Sequence, residues 1–334
     1  MKEAMFYKRL EGDNIKCSLC AHCCTVSEGN TGICRVRENQ NGNLFSLVYG
    51  KLVSSSADPI EKKPLFHFLP STSSFSIATV GCNFRCMHCQ NFEIAHYAQE
   101  HNVIPGEYIE PGLVVAAAEK SGCSSISYTY TEPTIFFEYA YDCAVIAHER
   151  GIKNIFVSNG YTGPEAVKTI APYLDAANID LKGDDGFYRK VCGARLRPVL
   201  DTIRLMRELD IWVELTTLLI PGYNDSEESL RGIIDFILSV DFAMPWHISR
   251  FHPTYKILDR PVTSIDSLLK ARRMGVEAGL RYVYLGNVPG EDGENTYCPE
   301  CAELLIQRVG YSTECYFNEG KCPKCGEVIS GVWK

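Results

Sequence analysis

The stretch VGCNFRCMHCQN, residues 80–91, places Cys82, Cys86 and Cys89 at the spacing C-x₃-C-x₂-C. Thiolates bind [4Fe–4S] clusters one to each iron, so three cysteines leave the fourth iron without a protein ligand. An open position is what separates a catalytic metal site from a closed structural one. The stretch therefore predicts a [4Fe–4S] cluster that keeps one iron free for a small molecule. A zinc site completed by His88 and thiols without a metal are the alternatives.

Two further groups of cysteines lie near the ends of the chain. Because the sequence shows no secretory signal, grouped cysteines indicate metal binding more than disulfides. The C-terminal group contains two C-x₂-C pairs, Cys298 with Cys301 and Cys322 with Cys325. Two such pairs are typical of a structural zinc site, and rubredoxin-type iron is the alternative. We expect a zinc-ribbon-like module whose fold depends on its metal.

The N-terminal group consists of Cys17, Cys20, Cys23, Cys24 and Cys34, so several sets of four ligands can be chosen. The first three of these cysteines form a C-x₂-C-x₂-C run of the ferredoxin kind. Zinc and an auxiliary iron–sulfur cluster are both open interpretations. We expect a metal with a structural role at this end of the chain.

Composition and charge narrow the class of protein. The chain has 334 residues and a formal net charge of −8, which argues against nucleic-acid binding. No apolar run approaches the ~20 residues of a membrane span, and the N-terminus lacks the apolar segment of a signal peptide. We therefore expect a cytoplasmic protein without membrane contact. Cys123, Cys143 and Cys192 stand alone in the sequence and are expected to be buried apolar residues.

The middle of the chain alternates β-rich and amphipathic helical segments. Seven runs predict strands: FSIATV (75–80), SISYTY (125–130), NIFVSN (154–159), AANIDL (176–181), WVELTTLLI (212–220), WHISRF (246–251) and YVYLGNV (282–288). Strands separated by helices indicate a parallel sheet, and this span suits a (β/α) barrel, full or partial. In such barrels the chemistry lies on loops at the carboxyl ends of the strands.

These patterns divide the chain into three predicted parts. A cysteine-rich metal-binding module covers residues 1–45, the barrel covers 46–290, and the zinc-ribbon-like module covers 291–334. The first strand of the barrel leads directly into the three-cysteine stretch, so the open cluster would lie at the edge where the other strand ends meet.

The three-cysteine motif after a first barrel strand resembles the radical S-adenosylmethionine (radical SAM) superfamily, whose fold is a partial (β/α) barrel of TIM type. Further blocks follow in order along the chain: SYTYTEPTIFFEY, VSNGY, NIDLKG, VELTTLLIPGYND, PWHISRFHP and YVYLGNVPG. Together with the two outer cysteine groups they resemble the radical SAM enzyme of the AmmeMemoRadiSam system, a relative of pyruvate formate-lyase activating enzymes. For the N-terminal module, the pattern of this family favours Cys17, Cys20, Cys24 and Cys34 as ligands.

This resemblance implies a reaction. S-adenosylmethionine would bind the open iron through its amino and carboxylate groups, and a reduced cluster would cleave it. The 5′-deoxyadenosyl radical would then abstract hydrogen from a substrate that the sequence does not identify. The family implies a flavodoxin or ferredoxin as electron donor, and Memo-type and AMMECR-type proteins as partners or substrates. A glycyl-radical activating enzyme is one alternative, and a zinc-rich interaction protein without enzymatic activity is another.

The resemblance also implies roles for polar residues at the second and third strand ends. Glu132 would accept hydrogen bonds from the methionine ammonium, beside Thr131 and Tyr130 where relatives carry two glycines. Ser158 and Asn159 would contact the ribose. The alternatives are that Glu132 caps a helix and that the Asn-Gly sequence forms a turn.

Three further residues have implied roles at later strand ends. Lys182 would reach the carboxylate of S-adenosylmethionine, and Asp180 would help to hold its amino end. His247 would lie near the ribose and the sulfonium. An internal salt bridge between Asp180 and Lys182, and a structural role for His247, are the alternatives.

Overall fold

Two small antiparallel sheets form the N-terminal part of the computed structural model, which describes residues 1–288, 292–310, 312–317 and 319–333. The first seven strands are short: β1 (Lys2–Glu3), β2 (Tyr7–Arg9), β3 (Ile15–Cys17), β4 (Thr25–Val26), β5 (Arg37–Gln40), β6 (Asn43–Ser46) and β7 (Lys51–Leu52). One of the two sheets has the order β1-β6-β5 and the other β2-β3-β4. Their apolar residues belong to the same core as those of the barrel.

An eight-stranded sheet follows, and seven of its strands are parallel neighbours. The strands are β8 (Ser54–Pro59), β9 (Ser73–Ala78), β11 (Ser125–Tyr128), β12 (Lys153–Ser158), β13 (Ala176–Asp180), β14 (Trp212–Leu219), β15 (Trp246–Arg250) and β16 (Val283–Gly286). Their order is β16-β15-β14-β13-β12-β11-β9-β8, with β8 antiparallel to β9. Within the described residues the pairing ends at β8 and β16, so the sheet is a partial barrel. All seven predicted strands are present, and β8 was not predicted.

Helices connect the parallel strands. Between β9 and β11 lie α1 (Phe92–Ala95), α2 (Tyr97–His101), the short strand β10 (Glu107–Tyr108) and α3 (Pro111–Lys120). The later helices are α4 (Phe137–Glu149), α5 (Pro164–Ile170), α6 (Asp185–Phe187), α7 (Leu196–Glu208), α8 (Glu227–Val240) and α9 (Ile265–Glu277). The hydroxyls of Ser226 and Ser264 accept from backbone N–H groups and begin α8 and α9. None of the described helices has the length and apolar character that a membrane span requires.

The two faces of the barrel sheet differ because successive side chains of a strand alternate between them. Ile126, Phe156 and Trp246 are fully buried on the face that the helices cover. The other face carries small polar residues on its first strands, where the hydroxyls of Ser74 and Ser127 lie 2.5 Å apart. The helices therefore cover the outside of the barrel, and polar groups line part of its inside.

The C-terminal module packs against the amino end of the barrel. Its sheet has the order β17-β18-β19, formed by β17 (Thr296–Tyr297), β18 (Leu304–Val309) and β19 (Ser312–Cys315). Leu305 and Ile306 pack with Phe66 and Tyr284 in one apolar cluster. This end is opposite to the carboxyl ends of the strands, where the candidate site lies. Pro289 and Gly290, the end of the predicted stretch YVYLGNVPG, lie outside the described residues.

Candidate functional site

The three predicted cluster cysteines share one loop at the carboxyl end of β9. Cys82, Cys86 and Cys89 are all half-buried. The thiol of Cys82 interacts electrostatically with both of the others, so the three groups face one region. The backbone N–H of Phe84 donates to the Cys82 sulfur at 3.3 Å. The loop thus gathers three sulfurs and leaves them partly open.

A π-helical turn, Tyr188–Cys192, holds the middle of this loop. The N–H of Arg85 donates to the carbonyl of Cys192 at 2.8 Å, and the N–H of Met87 donates to the carbonyl of Val191 at 3.0 Å. Single π-helical turns are frequent at functional sites. These two bonds fix the path of the chain on either side of the second cysteine, Cys86.

Cys192 also contacts the loop through its thiol. A hydrogen bond from this thiol lowers the pKa of Cys86, and the positive charge of Lys182 lowers it further. Cys192 is fully buried, as expected for a cysteine that stands alone. Its position behind Cys86 was not predicted, because nothing in the sequence connects it with the three-cysteine motif.

Asp180 and Lys182 form an ion pair at the end of β13. The Lys182 ammonium lies 2.7 Å from the carboxylate, and the exposed fractions of the two side chains are 13% for Lys182 and 37% for Asp180. Burial alone would lower the pKa of Lys182, but the charges of Asp180 and Cys86 raise it well above its ordinary value. Lys182 is therefore positively charged beside the cysteine loop, where it can bind an anionic group.

Glu132 occupies the centre of a hydrogen-bond network at the end of β11. Its Oε1 accepts from the N–H and hydroxyl of Thr134, at 2.9 and 2.6 Å, and from the hydroxyl of Ser158 at 2.8 Å. Its Oε2 accepts from the N–H of Asn159 at 2.8 Å. Burial raises the pKa of Glu132, and these hydrogen bonds oppose the rise. Glu132 thus caps the 3₁₀ turn Pro133–Phe136, and its carboxylate joins two strand ends.

Asn159 links this network to the cysteines. Its side-chain amide donates to Oδ1 of Asn83 at 2.7 Å and lies 3.8 Å from the sulfur of Cys82. The hydroxyl of Ser158 accepts from the N–H of Gly160 at 3.0 Å while it donates to Glu132. The polar groups of Ser158 and Asn159 are therefore engaged within the protein, and their contact with a ribose stays a prediction.

The backbone at Tyr130 takes the conformation that a glycine would favour. Its φ is +62°, in the left-handed region. Its carbonyl accepts from the side-chain amide of Asn91 at 2.8 Å, and its hydroxyl donates to Asp58. The hydroxyl of Thr131 donates to the carbonyl of Thr79 at 2.9 Å. Hydrogen bonds thus hold a tyrosine where relatives of the resembled family carry glycine.

The contacts of His247 differ from the expectation. Its Nε2 lies 2.7 Å from the carboxylate of Glu214, and its ring packs on Phe66 and Tyr284. Glu214 also accepts from the backbone N–H of Phe66 at 3.0 Å. His247 is the second residue of β15, so this network lies toward the amino end of the barrel. These contacts favour the structural alternative, and the implied role of His247 near the ribose stays a prediction.

The spacing of the sulfurs in the three-cysteine loop helps to distinguish a cluster from a single zinc ion. Among the described residues, the four cysteines of the C-terminal group have ligand atoms that all lie within 4.8 Å of one another, and the loop cysteines do not. Ligands of separate irons are spread in this way, whereas ligands of a single ion converge. His88 is buried, and burial with the nearby charge of Lys182 lowers its pKa to about 3. The donor set fits a cluster better than a zinc ion.

The two outer cysteine groups are each brought together. In the C-terminal group the sulfurs of Cys298 and Cys325 lie 3.5 Å apart, and those of Cys301 and Cys322 lie 3.6 Å apart. In the N-terminal group four cysteines line one cavity: Cys17, Cys20, Cys24 and Cys34. Cys23 is exposed and does not line this cavity. The arrangement thus gathers the four cysteines that the family pattern favours, and the identity of both metals stays a prediction.

Comparison with known proteins agrees with this geometry. The profile of the Radical SAM superfamily matches residues 76–237. The "Uncharacterized protein MJ0808" of Methanocaldococcus jannaschii is 47% identical over 336 residues, which cover 99% of this chain and all of that protein. The "Choline trimethylamine-lyase activating enzyme" of Oleidesulfovibrio alaskensis is 28% identical over 101 residues, which cover 30% of this chain and 33% of that enzyme.

A solved structure shows the same fold. The radical SAM methyltransferase from Sphaerobacter thermophilus superposes with a TM-score of 0.51 at 16% identity, over 65% of this chain and 67% of that chain. The matched profile begins in β9 and includes the three-cysteine loop and the ends of β11, β12, β13 and β14. The chain therefore belongs to the radical SAM superfamily and, within it, to the same family as MJ0808.

Proposed function

We propose that this protein cleaves S-adenosylmethionine reductively at a [4Fe–4S] cluster held by Cys82, Cys86 and Cys89. The observation that carries the proposal is the loop at the end of β9, which gathers three half-buried thiols beside the positive charge of Lys182. When bound, the cluster supplies the electron that converts S-adenosylmethionine into methionine and a 5′-deoxyadenosyl radical, which abstracts hydrogen from a substrate.

The residues around the loop bind and orient S-adenosylmethionine. Lys182 pairs with the methionine carboxylate, and the partly exposed carboxylate of Asp180 accepts from the methionine ammonium. Glu132 and Asn159 are positioning residues, since their hydrogen bonds fix the ends of β11 and β12 against Cys82. A buried and hydrogen-bonded support of this kind keeps a site rigid. The contacts of Glu132 with the methionine ammonium and of Asn159 with the ribose stay predictions.

The proposal extends to the proteins on which the radical acts. The resemblance to the AmmeMemoRadiSam enzyme makes Memo-type and AMMECR-type proteins the partners to test first, with a flavodoxin or ferredoxin as electron donor. A second candidate function is activation of a glycyl-radical enzyme, which the similarity to the O. alaskensis activating enzyme supports. A glycyl radical on a partner protein, detected by electron paramagnetic resonance, would favour this second function.

The experiment is a single turnover under anaerobic conditions. The reconstituted protein is reduced in the presence of S-adenosylmethionine, and 5′-deoxyadenosine is measured by mass spectrometry. We expect its formation in the wild type, its loss in Cys86→Ala, and retention in Cys123→Ala, which removes a thiol far from the loop in the sequence. A wild-type protein that carries iron but forms no 5′-deoxyadenosine would refute the proposal, and a protein with zinc alone would point to a binding module.

A further inference from the structure

The cysteines of the N-terminal cavity do not converge on one point as the C-terminal four do. Zn–S bonds of ~2.3 Å in a tetrahedron place sulfurs about 3.8 Å apart, and the C-terminal group has contacts of 3.5 and 3.6 Å. The N-terminal cysteines lie in a fully described part of the chain and line one cavity, yet they form no convergent set of this kind. Four thiols that surround one cavity without converging suit ligands of four separate irons.

Two buried N–H donors on the cavity wall have no acceptor. Nε of Arg37 and Nδ2 of Asn83 make no hydrogen bond, although the two residues are only 2% and 1% exposed. Both residues line the cavity. Neither donor reaches a cysteine sulfur, so the thiols alone do not satisfy them. A buried donor without a partner is destabilising, which indicates that acceptor atoms belong between these walls.

The guanidinium of Arg37, whose charge is paired with Glu138, lies close to the cavity thiols. The guanidinium of Arg37 interacts electrostatically with the thiols of Cys17 and Cys34. A [4Fe–4S] cluster brings inorganic sulfides that accept N–H hydrogen bonds. A zinc ion brings no acceptor atom of its own. We infer that the cavity binds an auxiliary [4Fe–4S] cluster through Cys17, Cys20, Cys24 and Cys34, with Arg37 and Asn83 donating to its sulfides.

This auxiliary site shares a wall with the three-cysteine loop. Asn83 lines the cavity and directly follows Cys82 in the chain. Its carbonyl oxygen lies 2.8 Å from Nε2 of His22, another residue of the cavity, and its Oδ1 accepts from Asn159, which also reaches the sulfur of Cys82. One asparagine thus contacts both sites, which places the two clusters side by side.

The test is a metal count in a full-length variant that lacks the other cluster. Cys82, Cys86 and Cys89 are replaced together by alanine, the protein is reconstituted anaerobically, and iron, sulfide and zinc are measured. We expect about four iron and four sulfide ions per chain, and a spectrum of a reduced cubane after dithionite. A variant with zinc but no iron, or with one iron and no sulfide, would overturn the inference. The N-terminal cysteines are intact here, so a folding defect at that site does not confuse the result.

Matched variants in the same background locate the cluster. Replacing Cys24 and Cys34 together by alanine leaves only two thiols of the cavity and is expected to abolish the remaining iron, whereas Cys23→Ala removes an exposed neighbour and is expected to leave the iron unchanged. Iron that survives the double replacement but not Cys23→Ala would assign the ferredoxin-like set instead and contradict the inference. The outcome is independent of the proposed function, because S-adenosylmethionine cleavage is not measured.

A conservative change at Asn83 tests the hydrogen bond to the cluster. In the same background, Asn83→Leu keeps the volume of the side chain and removes the N–H donor. Hydrogen bonds to cluster sulfur stabilise the reduced, more negative form. We therefore expect a lower reduction potential with the iron content unchanged. An unaltered potential would show that Asn83 does not donate to the cluster.

Discussion

The thiol of Cys192 lies beside the sulfur of Cys86 and lowers its pKa, although the two segments lie far apart in the chain. This proximity makes Cys192 the cysteine that has to be tested as a fourth cluster ligand. The strongest interactions of its side chain are with Cys86, Lys182 and Asp180. We interpret it as a support that stabilises the Cys86 thiolate from behind.

The variant Cys192→Ala tests whether Cys192 supports Cys86 or is itself a ligand of the cluster. In Cys192→Ala we expect the iron content to stay at the wild-type level, because three cysteines still hold the cluster. The reduced spectrum should still change when S-adenosylmethionine is added, which electron paramagnetic resonance measures. Loss of one iron per cluster in the variant, together with a wild-type spectrum that does not respond to S-adenosylmethionine, would mean that Cys192 is a ligand and that no iron is open in the wild type.

In the proposed function, Lys182 pairs with the methionine carboxylate of S-adenosylmethionine. A charge-assisted hydrogen bond contributes about 1.5–3 kcal/mol, so Lys182→Met should weaken binding of S-adenosylmethionine by about 10- to 150-fold. The dissociation constant is measured by equilibrium dialysis on the reconstituted protein. Lys168→Met, at an exposed ion pair on α5, is the control and should bind normally. A change of less than threefold with the cluster intact would remove Lys182 from the binding site.

The features that follow from local sequence were predicted well. The seven parallel strands carry their signal in apolar runs, and the carboxyl-end rule for such sheets located the loop of Cys82. The pair of Asp180 and Lys182 follows from their separation by two residues on a strand. These predictions used only residues that are close together in the chain and the rule that chemistry lies at the carboxyl ends of parallel strands. They required no knowledge of contacts between distant segments.

Contacts between distant segments were not predictable in the same way. Cys192 supports Cys86, and Glu214 binds His247, only because the folded barrel brings these residues together. Tyr130 takes a left-handed conformation because Asp58 and Asn91 hold it, and a tyrosine in sequence gives no sign of this. The strand β8 was missed since its sequence, SSSADP, is polar and has little strand propensity.

A buried ion pair attaches the N-terminal module to the barrel. Nη1 of Arg37 on β5 lies 2.9 Å from both carboxylate oxygens of Glu138 on α4, and both side chains are almost fully buried. Glu138→Gln would leave the guanidinium charge uncompensated, which costs about 3–5 kcal/mol of unfolding free energy. Urea denaturation measures this loss. Glu165→Gln at the exposed pair with Lys168 should change stability by less than about 1 kcal/mol.

If Glu138→Gln and Glu165→Gln lowered the free energy of unfolding equally, the pair of Arg37 and Glu138 would not be a buried attachment of the N-terminal module. Such a result would mean that water reaches the pair of Arg37 and Glu138 in solution. A second readout is limited proteolysis, because a weakened attachment should expose the first forty residues to cleavage before the barrel unfolds.

His67 makes the attachment of the C-terminal module sensitive to acid. Its Nδ1 lies 2.6 Å from the carbonyl of Ser330 and its Nε2 lies 2.5 Å from the hydroxyl of Tyr284. Burial lowers the pKa of His67 to about 4, although the charge of Glu214 opposes this. An unfolded histidine takes up its proton near pH ~6.5. Between these two values the unfolded state binds more protons, so stability falls as the pH decreases.

The expected loss is up to about 1.4 kcal/mol for each pH unit below ~6.5, and it ends near the folded pKa. Urea denaturation at pH 7.5, 6.5 and 5.5 measures it in the wild type and in His67→Gln. The glutamine variant starts less stable because it loses the geometry of two hydrogen bonds, but its free energy of unfolding should fall less steeply with acid. Metal release at low pH affects both proteins alike, so the difference between the two slopes reports His67. Identical slopes would mean that His67 is protonated in the folded protein as readily as in the unfolded chain.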